Sequence, residues 1–155
     1  HYVDWLNDTT VNHYLESRFE RATLHKVRSY VKDVLNDTHS YFFAIIEKEN
    51  EKHIGNIKLG PIHPHHKTST IGYLIGNKNA WGKGYATEAL LLVTTFAFNT
   101  LCLRKITAGA YASNAGSVRV LLKTGFKQEG VRKNQYEIDQ TYTDEILFGK
   151  FNSQH

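Results

Sequence analysis

Cysteine is nearly absent: Cys102 is alone among 155 residues. A single thiol cannot close an internal disulfide framework, and such usage suits a reducing compartment. Long apolar runs are missing too. None approaches the ~18 residues that a membrane span requires, and no signal-peptide pattern opens the sequence, so a cytoplasmic protein with no membrane partner is expected. Charge clusters are also lacking. The net charge of +4 comes from scattered lysines and arginines, which read as a solvated surface rather than a face for nucleic acid. Neither internal repeats nor low-complexity linkers interrupt the chain. What is present, 41% hydrophobic and 12% aromatic residues, suffices for one substantial core, so a single domain over residues 1–155 is expected.

The densest chemical signal is Trp81-Gly82-Lys83-Gly84-Tyr85-Ala86-Thr87-Glu88-Ala89, where a turn with two glycines runs into an apolar helical pattern. Gly82 and Gly84 permit backbone shapes closed to other residues, and the first amides of the following helix lack partners within it. With the positive end of the helix dipole, those amides suit a phosphate or pyrophosphate. Two well-known phosphate fingerprints do not fit. A P-loop needs four residues between its first glycine and the Gly-Lys pair, followed by Ser or Thr, whereas here Gly84 follows Lys83. The dinucleotide fingerprint would need a third glycine at Thr87.

The segment does fit the pattern Q/R-x-x-G-x-G/A, with Trp81 at the first position, Gly84 at the fourth and Ala86 at the sixth. A second block follows in order: Asn114-Ala115-Gly116-Ser117, then Lys123-Thr124-Gly125-Phe126. On these two motifs the chain resembles the GNAT superfamily of N-acetyltransferases over nearly its whole length. Trp81 replaces the usual first residue, and this form resembles the branch of the ribosomal-protein acetyltransferases RimJ and RimL. Tyr2-Val3-Asp4-Trp5-Leu6-Asn7-Asp8 resembles the family's Trp-x-Asn-Asp stretch. Family members carry a strand before that point, so the chain is read as lacking most of its first strand.

Periodicity supplies the elements. Asp8 is expected to cap a short helix carrying Val11, Tyr14 and Leu15, and Thr23 a longer one with Leu24, Val27, Val31, Val34 and Leu35 at helical spacing. Strands are predicted over Tyr41 to Glu47, His53 to Leu59 and Thr70 to Ile75, forming an antiparallel meander. The helix from about Gly84 to Phe98 is apolar on almost every face and is expected to be buried on more than one side. A strand over Arg104 to Ala112 follows, then a helix capped by Asn114 and ended by Gly125, and two antiparallel closing strands, Phe126 to Arg132 and Thr141 to Phe148.

This order predicts an α/β (α+β) fold: a mixed, mostly antiparallel twisted sheet with helices on both faces. The resemblance implies the GNAT fold, in which two central parallel strands splay into a V. It implies acetyl-CoA as co-substrate, its pantetheine arm paired with backbone of Leu74, Ile75 and Gly76. Gly82, Lys83, Gly84, Tyr85, Ala86 and Thr87 would hold the pyrophosphate, and Asn114 would reach the arm while capping its helix. A neutral amine would then attack the thioester directly through a tetrahedral intermediate, with positioning and amide donors supplying much of the effect.

Many members use a tyrosine four residues before the Gly-Phe pair as the acid; here Leu121 stands there. Ser117 is the carried-over general acid, against a structural serine near a helix start. His63, beside His65 and His66 between two predicted strands, is a base candidate, against a solvated hairpin loop. Glu137 and Asp144 are further candidates, while Tyr136 and Tyr142 read as packing or substrate-wall residues. No Cys or carboxylate accompanies the histidines, so no metal site is expected. The acceptor implied is a protein N-terminal amine, a nucleotide-linked amino sugar or another small amine, and the protein a monomer or homodimer. The alternative is a non-catalytic coenzyme A-binding sensor or scaffold domain, which the missing tyrosine permits.

Overall fold

Apolar runs separated by polar turns become the meander that alternation predicts. The computed structural model describes residues 1–153. Strands β1 (Tyr41–Glu47), β2 (Lys52–His63) and β3 (Thr68–Ile75) pair antiparallel in sequence order. Then come helix α3 of the chain (Tyr85–Asn99), β4 (Lys105–Tyr111), α4 (Ala115–Lys123), β5 (Lys127–Ile138) and β6 (Thr141–Phe151). Before the meander lie α1 (Tyr2–Asn7) and α2 (Leu24–Asn36). The sheet has six strands in the order β1-β2-β3-β4-β6-β5. Among the described residues its only parallel pair is β3 with β4, joined at Thr68↔Lys105, Ser69↔Ile106 and Thr70↔Thr107 and parting beyond. The mixed, mostly antiparallel sheet and the central splay agree with the expected fold.

Period two sorts the side chains of the meander. Ile57, Leu59 and Ile71 face α3 and join Leu90, Val93, Ala97, Ile106, Leu121, Phe126 and Phe148 in one core. The opposite face carries Phe42, Asn56 and Lys58 and is roofed by α1 and α2, with Phe42 in ring contact with both Tyr2 and Tyr30. Caps fix the helices as expected: Thr23 Oγ1 accepts from Lys26 N–H at 3.3 Å and Asn114 Oδ1 from Ser117 N–H at 3.1 Å. Gly125, past the end of α4, has φ +86°, the left-handed conformation that stops a helix.

One expectation is corrected and another is narrowed. No helix forms over Val11, Tyr14 and Leu15; the helix lies earlier, as α1, and Asp8 ends it. Asp8 Oδ1 accepts from the N–H groups of Thr10 at 2.9 Å and Val11 at 3.3 Å, so the carboxylate shapes a turn. A side chain bonding its own neighbours' amides competes with helix, and the β-branched run Thr9-Thr10-Val11 propagates one poorly. The narrowed one concerns α3, which buries Leu90, Val93, Thr94 and Ala97 but leaves Leu91 and Leu92 43% and 64% exposed. Its burial comes from both the sheet and α4, and this apolar stripe stays in solvent. In α2, Leu24 and Leu35 are likewise exposed. Among the described residues no helix is long and apolar enough to cross a membrane.

Candidate active site

Beyond Ile75 the chain turns through Trp81 to Gly84 into α3. The indole Nε1 of Trp81 donates to the Ile75 carbonyl at 2.7 Å, tying the turn to the strand end. Gly82 and Gly84 have φ +73° and +88°, and a Cβ on either would meet nothing within 4 Å. Both glycines are therefore required by backbone shape rather than by packing, and the space above them is open. Gly84 is the N-cap of α3 and offers no side-chain cap. The N–H groups of Tyr85, Ala86 and Thr87 thus have no acceptor inside the helix, at its positive dipole end. Tyr85 also anchors the helix start, its hydroxyl donating to Glu47 Oε1 at 2.5 Å. That bond pushes the Tyr85 phenol up to about 12 and holds the Glu47 carboxyl below its usual range. Lys83 is exposed on the turn. Open glycines, free amides and a lysine are a donor set that fits a pyrophosphate.

The splay begins one step after Thr70↔Thr107. Gly76 N–H donates to the Ile54 carbonyl at 2.8 Å, and antiparallel alternation then turns the backbone of Leu74 and Gly76 toward β2. Tyr73 and Ile75 turn theirs the other way, into the V. Of Leu74, Ile75 and Gly76, Ile75 alone directs an N–H at the cleft, since Trp81 already holds its carbonyl. Gly76 matters for its missing side chain, because a Cβ there would collide with the Trp5 ring. The glycine admits the indole.

Across the cleft stands the start of α4. The Tyr73 hydroxyl lies 3.0 Å from Ser117 Oγ and 3.3 Å from the Ser117 carbonyl, while Asn114 holds the Ser117 amide. Burial pushes the Tyr73 phenol above its ordinary value, opposed in part by the Ser117 bond. Sequence reasoning missed Tyr73 because a tyrosine inside an apolar strand reads as core. The available signal was its hydroxyl, which needs a partner when buried. Leu121 is 1% exposed and belongs to the core.

Under α1 and α2 lies a cavity of about 950 Å³, walled by Tyr2, Tyr30, Phe42, Asn56, Lys58 and Tyr73 among others. Asn56 is 6% exposed, and its Oδ1 lies 2.8 Å from His53 Nε2. Glu16 and Glu20 reach the same cavity. Glu16 accepts from the Tyr111 hydroxyl and lies 3.5 Å from Arg18, and Glu20 pairs with Lys26 at 2.9 Å. Arg18 also donates to the Glu137 carbonyl at 3.1 Å, latching this segment to β5.

The base candidates are not brought to this place. His63 ends β2 opposite Thr68, where β3 and β4 are still paired, and His65 and His66 lie in the hairpin that follows. From Thr68 to Ile75 an extended strand covers about 23 Å at ~3.3 Å per residue, so His63 stands at the closed end of the V and the glycine turn at the open one. Asp144 is engaged by Lys133 at 2.9 Å, which lowers its carboxyl below the usual range. Tyr136 stacks on Tyr111 with ring centroids 4.1 Å apart, whereas Tyr142 is 67% exposed and packs on little.

Residues 1–127 match the acetyltransferase (GNAT) domain family. The chain is 35% identical over 119 residues to the probable N-acetyltransferase YjcK of Bacillus subtilis, an alignment covering 76% of this chain and 65% of that protein. It is 28% identical over 124 residues to the [ribosomal protein uS5]-alanine N-acetyltransferase of Escherichia coli, covering 74% of this chain and 61% of that one. The chain thus spans less than two thirds of these relatives' length. Among solved structures, the spermidine N-acetyltransferase of Vibrio cholerae in complex with CoA and spermine superposes with TM-score 0.86 at 20% identity, over 98% of this chain and 88% of that one. At that identity the likeness concerns the fold.

Proposed function

The chain belongs to the GNAT acetyltransferase family, and from that premise we propose that it is an acetyl-CoA-dependent N-acetyltransferase acting on a primary amine. The observation that carries this reading is the uncapped start of α3 behind Gly82 and Gly84, at the open end of the β3–β4 splay. Gly82, Lys83, Gly84, Tyr85, Ala86 and Thr87 would hold the pyrophosphate, the strand edge at Tyr73 and Ile75 the pantetheine arm, and Asn114 would keep α4 against it. Acetyl-CoA bound there supplies an activated acetyl group.

The remaining work falls to the chain. The Ile75 N–H offers a fixed donor in the cleft, of the kind that favours charge developing on an oxygen. Ser117 Oγ, held by Tyr73, gives its proton to the leaving sulfur and takes up in exchange the proton that the attacking nitrogen sheds, so the serine ends as it began. The cavity beneath α1 and α2 receives the amine, which attacks directly without a covalent enzyme intermediate. An α-amine, with pKa near ~8, reaches its neutral form more readily than a lysine near ~10.4. The names of the Escherichia coli relative and the Vibrio cholerae neighbour share a primary amine as acceptor, and this much is carried over.

The test is thiol release from acetyl-CoA with panels of peptides, amino sugars and polyamines, with mass spectrometry of the products. Release matched by one acetylated amine is the expected result. Binding of acetyl-CoA with no product in any panel would favour the coenzyme A-binding scaffold; no binding would defeat both readings.

A further inference from the structure

The wall of the acceptor cavity holds a buried donor that the fold does not satisfy. Asn56 is 6% exposed, and its Nδ2 has no hydrogen-bond partner among the described residues. Its orientation is fixed by His53. The Nε2 of His53 lies 2.9 Å from the Gly55 carbonyl and 2.8 Å from Asn56 Oδ1. A carbonyl only accepts, so Nε2 carries the hydrogen, and the oxygen of Asn56 must face it. The amide nitrogen is left directed away from His53, in a side chain that lines the main cavity and a smaller one of about 650 Å³ beside it. Interiors satisfy nearly all such groups, because a buried N–H without an acceptor is costly.

The charges of the same wall point the same way. Lys58, two residues along β2 on the same face, is half-buried and makes no ion pair among the described residues; Arg21 on the rim makes none either. Both carboxylates there are engaged, Glu16 by Tyr111 and Arg18 and Glu20 by Lys26. Gly72, the cross-strand partner of Lys58, lacks a side chain on this face, and a Cβ there would meet nothing within 4 Å. Room is thus left between Lys58 and the strand edge at the cleft. A polyamine brings only N–H donors and positive charge to this wall, and would meet donors and positive charge. An amine bearing oxygens and negative charge meets its complement.

Resting on the acetyltransferase reading, we propose that the acceptor is an amine that carries hydrogen-bond-accepting oxygens and negative charge near its amino group, anchored by Asn56 Nδ2 and Lys58 Nζ, and that polyamines are not its substrates. Two sources share this chemistry, a phosphorylated amino sugar and an acidic peptide amino terminus. The test is calorimetric titration of the coenzyme A-saturated protein with glucosamine 6-phosphate, an alanyl-aspartate peptide and spermidine. One oxygen-bearing amine is expected to bind at least about tenfold more tightly than spermidine, and which one assigns the source. Asn56→Leu should weaken that ligand about tenfold and leave spermidine unchanged; Lys58→Met should weaken it and flatten its salt dependence. Asn56→Asp, which replaces the donor by an acceptor, should move the preference toward spermidine. Retained coenzyme A binding reports that each variant is folded, with Lys58→Met as the arm that disturbs no buried group. Tightest binding of spermidine by the wild-type protein, no binding of either oxygen-bearing probe, or equal loss of all ligands in Asn56→Leu would overturn the proposal. Binding of an oxygen-bearing amine without turnover would defeat acetyl transfer and leave the anchor standing, whereas turnover of spermidine alone would do the reverse.

Discussion

A serine hydroxyl is a poor acid unaided, so the partner of Ser117 decides what it can do. Tyr73 keeps its proton through neutral pH because burial raises its phenol, and that proton has the Ser117 carbonyl as an acceptor at 3.3 Å, with Ser117 Oγ 3.0 Å from the phenol oxygen. The phenol thereby fixes where Ser117 Oγ stands beside the cleft. Ser117→Ala should lower kcat by about tenfold or more with KM for acetyl-CoA little changed, as expected for loss of a group that acts mainly in the transition state. Tyr73→Phe should lower kcat by about threefold to tenfold, the size of one hydrogen bond of ~1 kcal/mol, with KM again steady. Unchanged turnover in Ser117→Ala would remove it from the chemistry. The sign of the pH effect follows from the raised phenol. The donor is present at and below ordinary tyrosine pKa and is lost only as pH climbs past it, so the two variants and the wild type should show parallel profiles through neutral pH. At this scale the sequence carried the Asn114 cap and the two turn glycines, which act on their neighbours in the chain, while Ser117 came from the resemblance. Tyr73 was hidden because its partner lies 44 residues away, and Asn56 because a lone amide in an apolar strand gives no hint of which neighbour satisfies it.

Elements are held together where a missing side chain on one admits a large one from another. Trp5 of α1 is 9% exposed and its ring occupies the place of a Cβ at Gly76; the next residues extend the clamp. Asn7 Nδ2 donates to the Ala22 carbonyl at 2.9 Å, Asn7 Oδ1 accepts from the Ala22 amide at 3.0 Å, and Asp8 pairs with Lys78 at 2.5 Å. Trp5-Leu6-Asn7-Asp8 is therefore a structural clasp between the amino-terminal segment and the turn that leads to Gly82. Gly76→Ala should destabilise the protein by about 1–3 kcal/mol, the usual cost of overpacking, with a matching change in Trp5 fluorescence. In a Trp5→Ala background the added cost of Gly76→Ala should largely vanish, a coupling that thermal melts of the four proteins would measure. Additive effects would mean that the ring is not what Gly76 serves. Strands β1 to β4 and β6 and helices α2 and α4 were legible because alternation, Thr23, Asn114 and Gly125 act locally, whereas β5, read from Phe126 to Arg132, runs on to Ile138. Helix α1 was not, since Asp8 at a turn and Asp8 at a helix start look alike in sequence. The exposed apolar stripe of α3 was not either, because an all-apolar helix does not say which of its faces the sheet and α4 will leave uncovered.

The strand order and the splay lie beyond periodicity altogether; the resemblance supplied the splaying parallel pair of β3 and β4, and nothing local says that β6 inserts beside β4. What the whole assembly adds can be read from its tyrosines. Tyr2, Tyr85 and Tyr136 are each pushed up from 10.0 to about 12, Tyr2 and Tyr136 chiefly by burial and Tyr85 chiefly by its bond to Glu47. They stand in α1, α3 and β5, on three different flanks of the sheet. A raised phenol means that the native state holds its proton while the unfolded chain releases it. Their contribution is thus complete below pH 10 and is lost as pH rises through the folded value of about 12. Conformational stability should therefore fall across that window, more steeply than through the neutral range. Urea midpoints taken at successive pH values, with tyrosinate absorbance followed in parallel, would measure the slope. Tyr2→Phe and Tyr136→Phe should each reduce it, because each removes one proton that the unfolded chain would release. A tyrosinate rise around pH 10 that is smaller in Tyr2→Phe or Tyr136→Phe than in the wild type while the fold persists would contradict the burial of these phenols, as would urea midpoints that stay level from about pH 10 to about pH 12.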